Sequence, residues 1–150
     1  MIVGLASDHR GFEKKAKLIK YLEKKGLEVK DFGTNSSESC DFPDYSNLLC
    51  DAIVNEEVNF GVLICGTGIG MSIAANKRKG IYCGKVDSAE EAKLTKEHNH
   101  ANVIAISANK YMFQIKDMLD AYLDAENLND DKYVRRIEKI KEIEGKRKWV

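Results

Sequence analysis

The sequence predicts an α/β protein, a three-layer α/β/α Rossmann-like arrangement around a five-stranded parallel sheet. Short apolar runs alternate with longer amphipathic segments along the chain, the signature of βαβ units. One run, Phe60 to Cys65, ends in a cysteine and passes at once into three alternating glycines, as a strand does when it feeds a functional loop. The 150 residues fit one domain, taken as 1–150, with no internal repeat and no room for an interdomain linker.

The elements follow in order. A strand from Ile2 to Ser7 leads to a helix from Phe12 to Lys25, closed by Gly26 as its C-cap. Phe12, Ala16, Ile19 and Leu22 fall on one face of that helix and the lysines on the other, which reads as a solvated face. Strands at Leu27 to Phe32, Gly61 to Cys65, Ile81 to Val86 and Val103 to Ala108 complete the sheet. Helices are expected at Tyr45 to Asn55, Met71 to Lys77, Ser88 to His98 and Lys110 to Leu123, with Ser88 and Glu91 spaced as a capping box. After Ala125 a polar stretch precedes a last helix, Lys132 to Glu144, with Val134, Ile137, Ile140 and Ile143 on one stripe. That stripe must be buried, either on its own domain or across a subunit interface. The basic end, Lys146 to Trp149, reads as a solvated tail.

Composition excludes several classes. Lysine plus arginine equal aspartate plus glutamate at 24 each, so no global field favours nucleic acid or an anionic membrane. No apolar stretch approaches the roughly 20 residues a bilayer span needs, and the N-terminus runs directly into a strand without a signal-peptide pattern. Cys40, Cys50, Cys65 and Cys83 form no CxxC pair and no zinc-type spacing with His9, His98 or His100, which reads as a reduced, cytoplasmic chain. The expected partners are small molecules.

The loop after Cys65 carries the chemistry. Gly66, Gly68 and Gly70 let the backbone approach a ligand and turn its N–H groups toward it, and a helix starting near Gly70 adds a positive dipole end. The same amides and dipole favour thiolate over thiol at Cys65, a candidate base or nucleophile. A P-loop would need a Gly-Lys-Ser/Thr that is absent. A dinucleotide fingerprint would need a third glycine where Met71 stands, and a cysteine phosphatase would need an arginine there.

In open α/β sheets ligands bind at the carboxyl ends of the strands. After the first strand, Ser7-Asp8-His9-Arg10-Gly11-Phe12 puts a carboxylate, an imidazole and a guanidinium on one tight turn. The Cys65 loop follows the third. The helix before the fifth strand ends in Glu97-His98-Asn99-His100-Ala101-Asn102, and its two histidines are expected at that same edge, although His98 alone would fit an ordinary helix-terminus histidine.

These residues resemble one family over nearly the whole chain. Asp8-His9-x-Gly11-Phe12, Asp31-Phe32-Gly33-Thr34, Asp41-Phe42-Pro43-Asp44-Tyr45, Ile64 through Gly70, Ser72-Ile73-Ala74-Ala75-Asn76-Lys77 and His98-Asn99-x-Ala101-Asn102-Val103 are similar to the ribose-5-phosphate isomerase B family. That family includes allose-6-phosphate isomerases and galactose-6-phosphate isomerase subunits. The resemblance implies aldose-ketose isomerisation of a sugar phosphate through a cis-enediolate, with ribose 5-phosphate and ribulose 5-phosphate as the expected pair. It implies a homodimer or dimer of dimers with sites built across an interface, and no metal or organic cofactor. It assigns Cys65 as the base and Thr67 with the N–H groups of Gly66, Gly68, Ile69 and Gly70 as the enediolate cradle. It gives His98 to ring opening and Asp8, Asn99 and Tyr45 to substrate binding. His9, Lys132 and Arg136 are expected at the phosphate, with a neighbouring subunit as one source of the arginine.

The chain departs from the family at its phosphate end. The usual Gly-Arg-His-x-x-Arg is Asp131-Lys132-Tyr133-Val134-Arg135-Arg136, so one arginine is retained and Lys132 replaces a fork with a point charge. The usual Gly-Ser-Arg after the fifth strand reads Ala108-Asn109-Lys110, an expected arginine is Tyr82, and an expected tyrosine is Phe42. These changes leave two alternatives beside the pentose isomerase: a hexose 6-phosphate isomerase, and a non-catalytic sugar-phosphate sensor. A flavin-binding module fits less well, because no aromatic pair flanks a suitable phosphate loop.

Overall fold

A computed structural model describes residues 1–146, so the tail expected at Lys146 to Trp149 lies almost wholly outside the described residues. In chain order the elements are β1 (Ile2–Ser7), α1 (Phe12–Lys24), β2 (Glu28–Asp31), α2 (Phe42–Val54), β3 (Phe60–Cys65), α3 (Ile69–Ala75), β4 (Cys83–Lys85), α4 (Ala89–Asn99), β5 (Val103–Ser107), α5 (Met112–Asp124) and α6 (Asp131–Lys146). The strands form one parallel sheet in the order β2-β1-β3-β5-β4.

Strands apolar on both sides need helices on both faces. β3 and β5 are buried along their whole length. On one face Leu18 and Leu22 of α1, Ala92 of α4 and Ile115, Leu119 and Tyr122 of α5 pack on Val3, Leu5, Val62, Ile64, Ile104 and Ile106. On the other, Leu49, Cys50 and Ala52 of α2 with Met71 and Ala75 of α3 cover Ala6, Leu63, Cys65, Val103 and Ala105. Leu49 lies directly on the sheet, since side chains at Gly4 or Gly61 would stand 2.3 Å and 2.8 Å from its methyl carbons.

Several expected boundaries move for identifiable reasons. β4 is three residues rather than Ile81 to Val86, being an edge strand paired only with β5, although Ile81 and Val86 are still buried. α2 begins at Phe42 because Pro43 fits a helix's first turn, where no N–H is needed. Gly26, at φ 82°, follows α1 as expected, and the Leu27 N–H returns to the Leu22 carbonyl. The capping box of α4 is displaced by one residue: the Ser88 hydroxyl accepts from the Glu91 N–H, but the Glu91 carboxylate accepts from the Asp87 N–H at 2.6 Å.

The expected buried face of α1 needs correction. Ala16 is exposed, Phe12 and Ile19 are half-buried, and the inward positions are Lys15, Leu18 and Leu22. Lys15 is therefore not on a solvated face: it is 1% exposed, pairs with Asp31 and donates to the Thr34 carbonyl at 2.8 Å. A lysine can sit there because both partners meet its ammonium while its aliphatic stem packs among apolar neighbours. Asp31 also accepts from the Gly33 N–H, and the Thr34 N–H donates to the Ser7 carbonyl. The pair thus ties α1 to the end of β2, and the Thr34 N–H ties the following turn to the end of β1.

α6 rests on α4 through Ile137, while Val134, Ile140 and Ile143 remain 37%, 38% and 62% exposed. Its end is clasped to the β4 edge, where the Gly80 N–H and the Tyr82 hydroxyl donate to Glu144. Burial, with Glu144 alongside, pushes the Tyr82 hydroxyl up to about 12, so it stays protonated as that donor.

Breaking the Lys15 pair from one side should cost more than removing its charge. Asp31→Ala is expected to lose about 3 kcal/mol or more in urea unfolding, and Lys15→Met clearly less, because only the first strands a buried ammonium. Equal losses would refute the ion-pair account.

Candidate active site

The carboxyl ends of β1 and β3 lie side by side, and the chain leaving each of them builds one cavity. The Asp8 N–H donates to the Ile64 carbonyl, and the Asp8 Oδ1 accepts from the Arg10 and Gly11 N–H groups at 2.9 Å and 3.1 Å, turning the chain into α1. Gly11 is required by space, since a Cβ there would stand 2.5 Å from the Ile64 carbonyl oxygen. The result is a cavity of about 250 Å³ walled by Asp8, Arg10, Cys65, Gly66, Thr67 and Gly70.

Within it the Cys65 sulfur is a hydrogen-bond acceptor: the Gly68 N–H points at Sγ from 3.1 Å. The loop reaches this shape because Gly68 adopts φ 79° and lies against Ile106, whose carbonyl carbon would be 3.0 Å from any Cβ. Gly70 packs under the Phe42 ring, 2.9 Å from an added Cβ. Thr67 Oγ1 accepts from the Ile69 N–H at 3.2 Å, which leaves its hydroxyl hydrogen for a ligand. The Ser107 hydroxyl holds the Gly66 carbonyl at 2.7 Å, anchoring the loop to β5.

His9 stands beside this cavity and is half-buried, its Nδ1 accepting from the Cys40 N–H at 3.2 Å. Tyr45 is half-buried with its ring against Gly33, at the end of β2. Asp8, His9, Cys65, Thr67, the glycine loop and Tyr45 are therefore together on one edge.

The expected position of His98 and His100 at that edge is not what the fold allows. Helices that join parallel strands run back against them, so α4 starts at the carboxyl edge and finishes at the amino edge. There Asn102 bonds Tyr82 ahead of β4 and the Gly61 N–H at the start of β3. His98 stacks on Tyr133 of α6, 4.6 Å between ring centres, and the Lys132 ammonium lies 4.8 Å from the centre of the Tyr133 ring. Asn99 is exposed and lines a cavity of about 320 Å³ with Tyr82, Cys83, Thr95 and Ile140. Arg136 is exposed one helical turn beyond Lys132. These four residues make a second cluster, a full strand length, about 15 to 20 Å, from Cys65 in the same chain.

Two further groups border the thiol cavity. Asn109, just past β5, lines it, a position that the rule of searching beyond strand ends would have found. Lys85, Asp87 and Lys110 form an ion-paired cluster beside Thr67 and Ile69, and the Lys85 ammonium holds the Asp87 carboxyl below the usual carboxylate range. Among the described residues no group of three or more His, Cys, Asp or Glu side chains is placed to hold a metal ion, and no helix is long and apolar enough to cross a membrane.

A parallel α/β sheet with a thiol, a carboxylate and an amide-lined loop in one small cavity defines an enzyme that handles a small, oxygen-rich molecule by proton transfer. Residues 3–140 match the family model described as Ribose/Galactose Isomerase. Ribose-5-phosphate isomerase B of Escherichia coli (strain K12) is 38% identical over 146 residues, covering 97% of each chain. The structure of Clostridium thermocellum ribose-5-phosphate isomerase B superposes with a TM-score of 0.94 at 39% identity, over 97% of this chain and 99% of that one. The Mycoplasma genitalium enzyme, solved with bound ribulose-5-phosphate, gives 0.91 at 34% identity over 97% of each. The chain belongs to the ribose/galactose isomerase family.

Gly68→Ala joins a strained backbone to a collision with Ile106, and moves the amide that faces the sulfur. It is expected to lower turnover by about a hundredfold or more while costing about 1 to 3 kcal/mol in stability, both read on the purified variant.

Proposed function

We propose that this protein interconverts ribose 5-phosphate and ribulose 5-phosphate, with Cys65 as the base that moves the carbon-bound proton. The observation that carries this is the Cys65 sulfur in a cavity shared with Asp8 and Thr67, with a main-chain donor aimed at it. The reaction opens the furanose ring, removes a proton beside the carbonyl and returns it to the neighbouring carbon. A thiolate suits the second task. The negative charge that then develops on the enediolate oxygens needs fixed donors, which the N–H groups of Gly66, Thr67 and Gly70 and the Thr67 hydroxyl supply, about 3 to 4 kcal/mol for one good donor, while the Gly68 and Ile69 N–H groups are spent on Cys65 and Thr67. Asp8, held by two backbone N–H groups, is positioned to accept from sugar hydroxyls.

Ring opening and phosphate binding fall to the second cluster: His98 at the ring oxygen, Asn99 on hydroxyls, and Lys132 with Arg136 at the phosphate beside His9. One chain cannot bring these to its own Cys65, so the proposed site is shared between two copies in a homodimer, itself open to pairing as a dimer of dimers. Two exposed apolar faces support this pairing. Val134, Ile140 and Ile143 of α6 accompany the His98 cluster, and Phe42, Leu48, Ile69 and Ile73 of α2 and α3 accompany the thiol cavity. A two-fold pairing that lays one face on the other covers both and completes two sites at once. The four cysteines are free, in keeping with work in the reducing cytoplasm.

Metal-free protein should convert ribose 5-phosphate directly. Cys65→Ala is expected to lower kcat by at least about a thousandfold with KM little changed, and Arg136→Ala mainly to raise KM. Similar mild effects from both would sink these roles.

The shared site has its own test. Cys65→Ala and His98→Ala proteins, each inactive alone, are mixed, unfolded and refolded together. Random pairing should restore about a quarter of wild-type activity, since half the dimers then carry one intact site. No recovery would place His98 and Cys65 in separate functions.

A further inference from the structure

Arg10 stands in the Cys65 cavity without a partner. It follows His9 in the turn after β1, at a position where the family motif leaves the residue open. Its backbone N–H is fixed by Asp8 at 2.9 Å, and its side chain lies along the catalytic loop. A Cβ on Gly66 would come within 3.0 Å of Arg10 Cδ, 3.9 Å of Nε and 4.0 Å of Nη1, so the bare glycine is what lets the guanidinium lie over the residue next to Cys65. Among the described residues the guanidinium makes no ion pair and no hydrogen bond. Asp8, the carboxylate beside it, already accepts the Arg10 and Gly11 backbone N–H groups through Oδ1. The exposed Arg10 side chain therefore offers the cavity a planar fork of five N–H donors that no protein group among the described residues engages.

We propose that Arg10 binds the phosphate of the substrate from the same chain that supplies the thiol. Such a fork matches two phosphate oxygens at once, which an ammonium cannot do. The α6 cluster brings one arginine and one lysine to a dianion, and Arg10 adds the second guanidinium. Because its stem is held against Gly66, it also sets the span between phosphate and Cys65, and so selects the length of the sugar. The identity of the sugar rests on the isomerase reading above; the anion site itself does not.

The test compares wild type with Arg10→Met and Arg10→Lys. KM for ribose 5-phosphate should rise about ten- to hundredfold in Arg10→Met, with kcat within about threefold. Inhibition by inorganic phosphate should weaken by the same factor, and Arg10→Lys should recover only part of the loss. Unchanged kinetics, or a fall in kcat with KM and phosphate inhibition intact, would overturn the proposal. If wild type fails to convert ribose 5-phosphate, the isomerase reading falls, and titration calorimetry with inorganic phosphate still decides on Arg10. Weaker binding by Arg10→Met upholds the site, and equal binding removes it.

Discussion

All five strands point the same way, and this one constraint decides where every functional group can stand. Each crossover helix must run back from the carboxyl edge to the amino edge, so turns that follow strands and turns that precede them end up on opposite sides of the sheet. Asp8, Cys65 and Asn109 follow strands. His98 and Asn99 precede one. The two groups have complementary chemistry, a thiol and a carboxylate beside a glycine loop on one side and an imidazole with cationic neighbours on the other. On the proposal made above, a second copy of the chain reconciles them without breaking the sheet, and the exposed isoleucines of α3 and α6 are apolar surface open to that contact.

Close approach matters as much as direction. Gly11 presses the first turn of α1 against the end of β3, Gly68 presses the catalytic loop against β5, and Gly70 makes room for the Phe42 ring. Each distance is too short for any side chain. The cavity is consequently shaped by backbone against backbone at Gly11 and Gly68 and by the Phe42 ring at Gly70, and its position relative to the core is fixed by packing that fills both faces of the sheet.

Much of this was legible in the residues alone. Strand runs such as Ile2 to Ser7 and the 60–65 segment announce themselves by continuous apolar character, and the glycine spacing after Cys65 marks the loop without reference to any fold. The misreadings have physical causes. Lys15 looks solvated by type, and only the tertiary arrangement supplies the Asp31 and Thr34 oxygens that let it be buried. β4 looks longer in sequence because Ile81 and Val86 are buried, yet burial at a sheet edge does not require pairing. His98 was expected at the wrong edge because nearness in sequence to a strand was taken without regard to which end of the strand it was. Motif matching puts it in one site with Cys65, and periodicity does not say which edge of the sheet either residue occupies.

The cradle around Cys65 is made of main-chain N–H groups, and every residue carries one. Mutation can distort such a device by adding atoms at Gly66, Gly68 or Gly70, but no substitution short of proline deletes a donor. The side chains beside it are different: Arg10, Thr67 and Asn109 line the same cavity, and each can be exchanged by a single codon change. A lineage carrying this architecture therefore inherits the loop in a form resistant to drift and the lining of the cavity in a form open to it. Divergence within such a lineage is expected to accumulate in what is bound long before it reaches what is done.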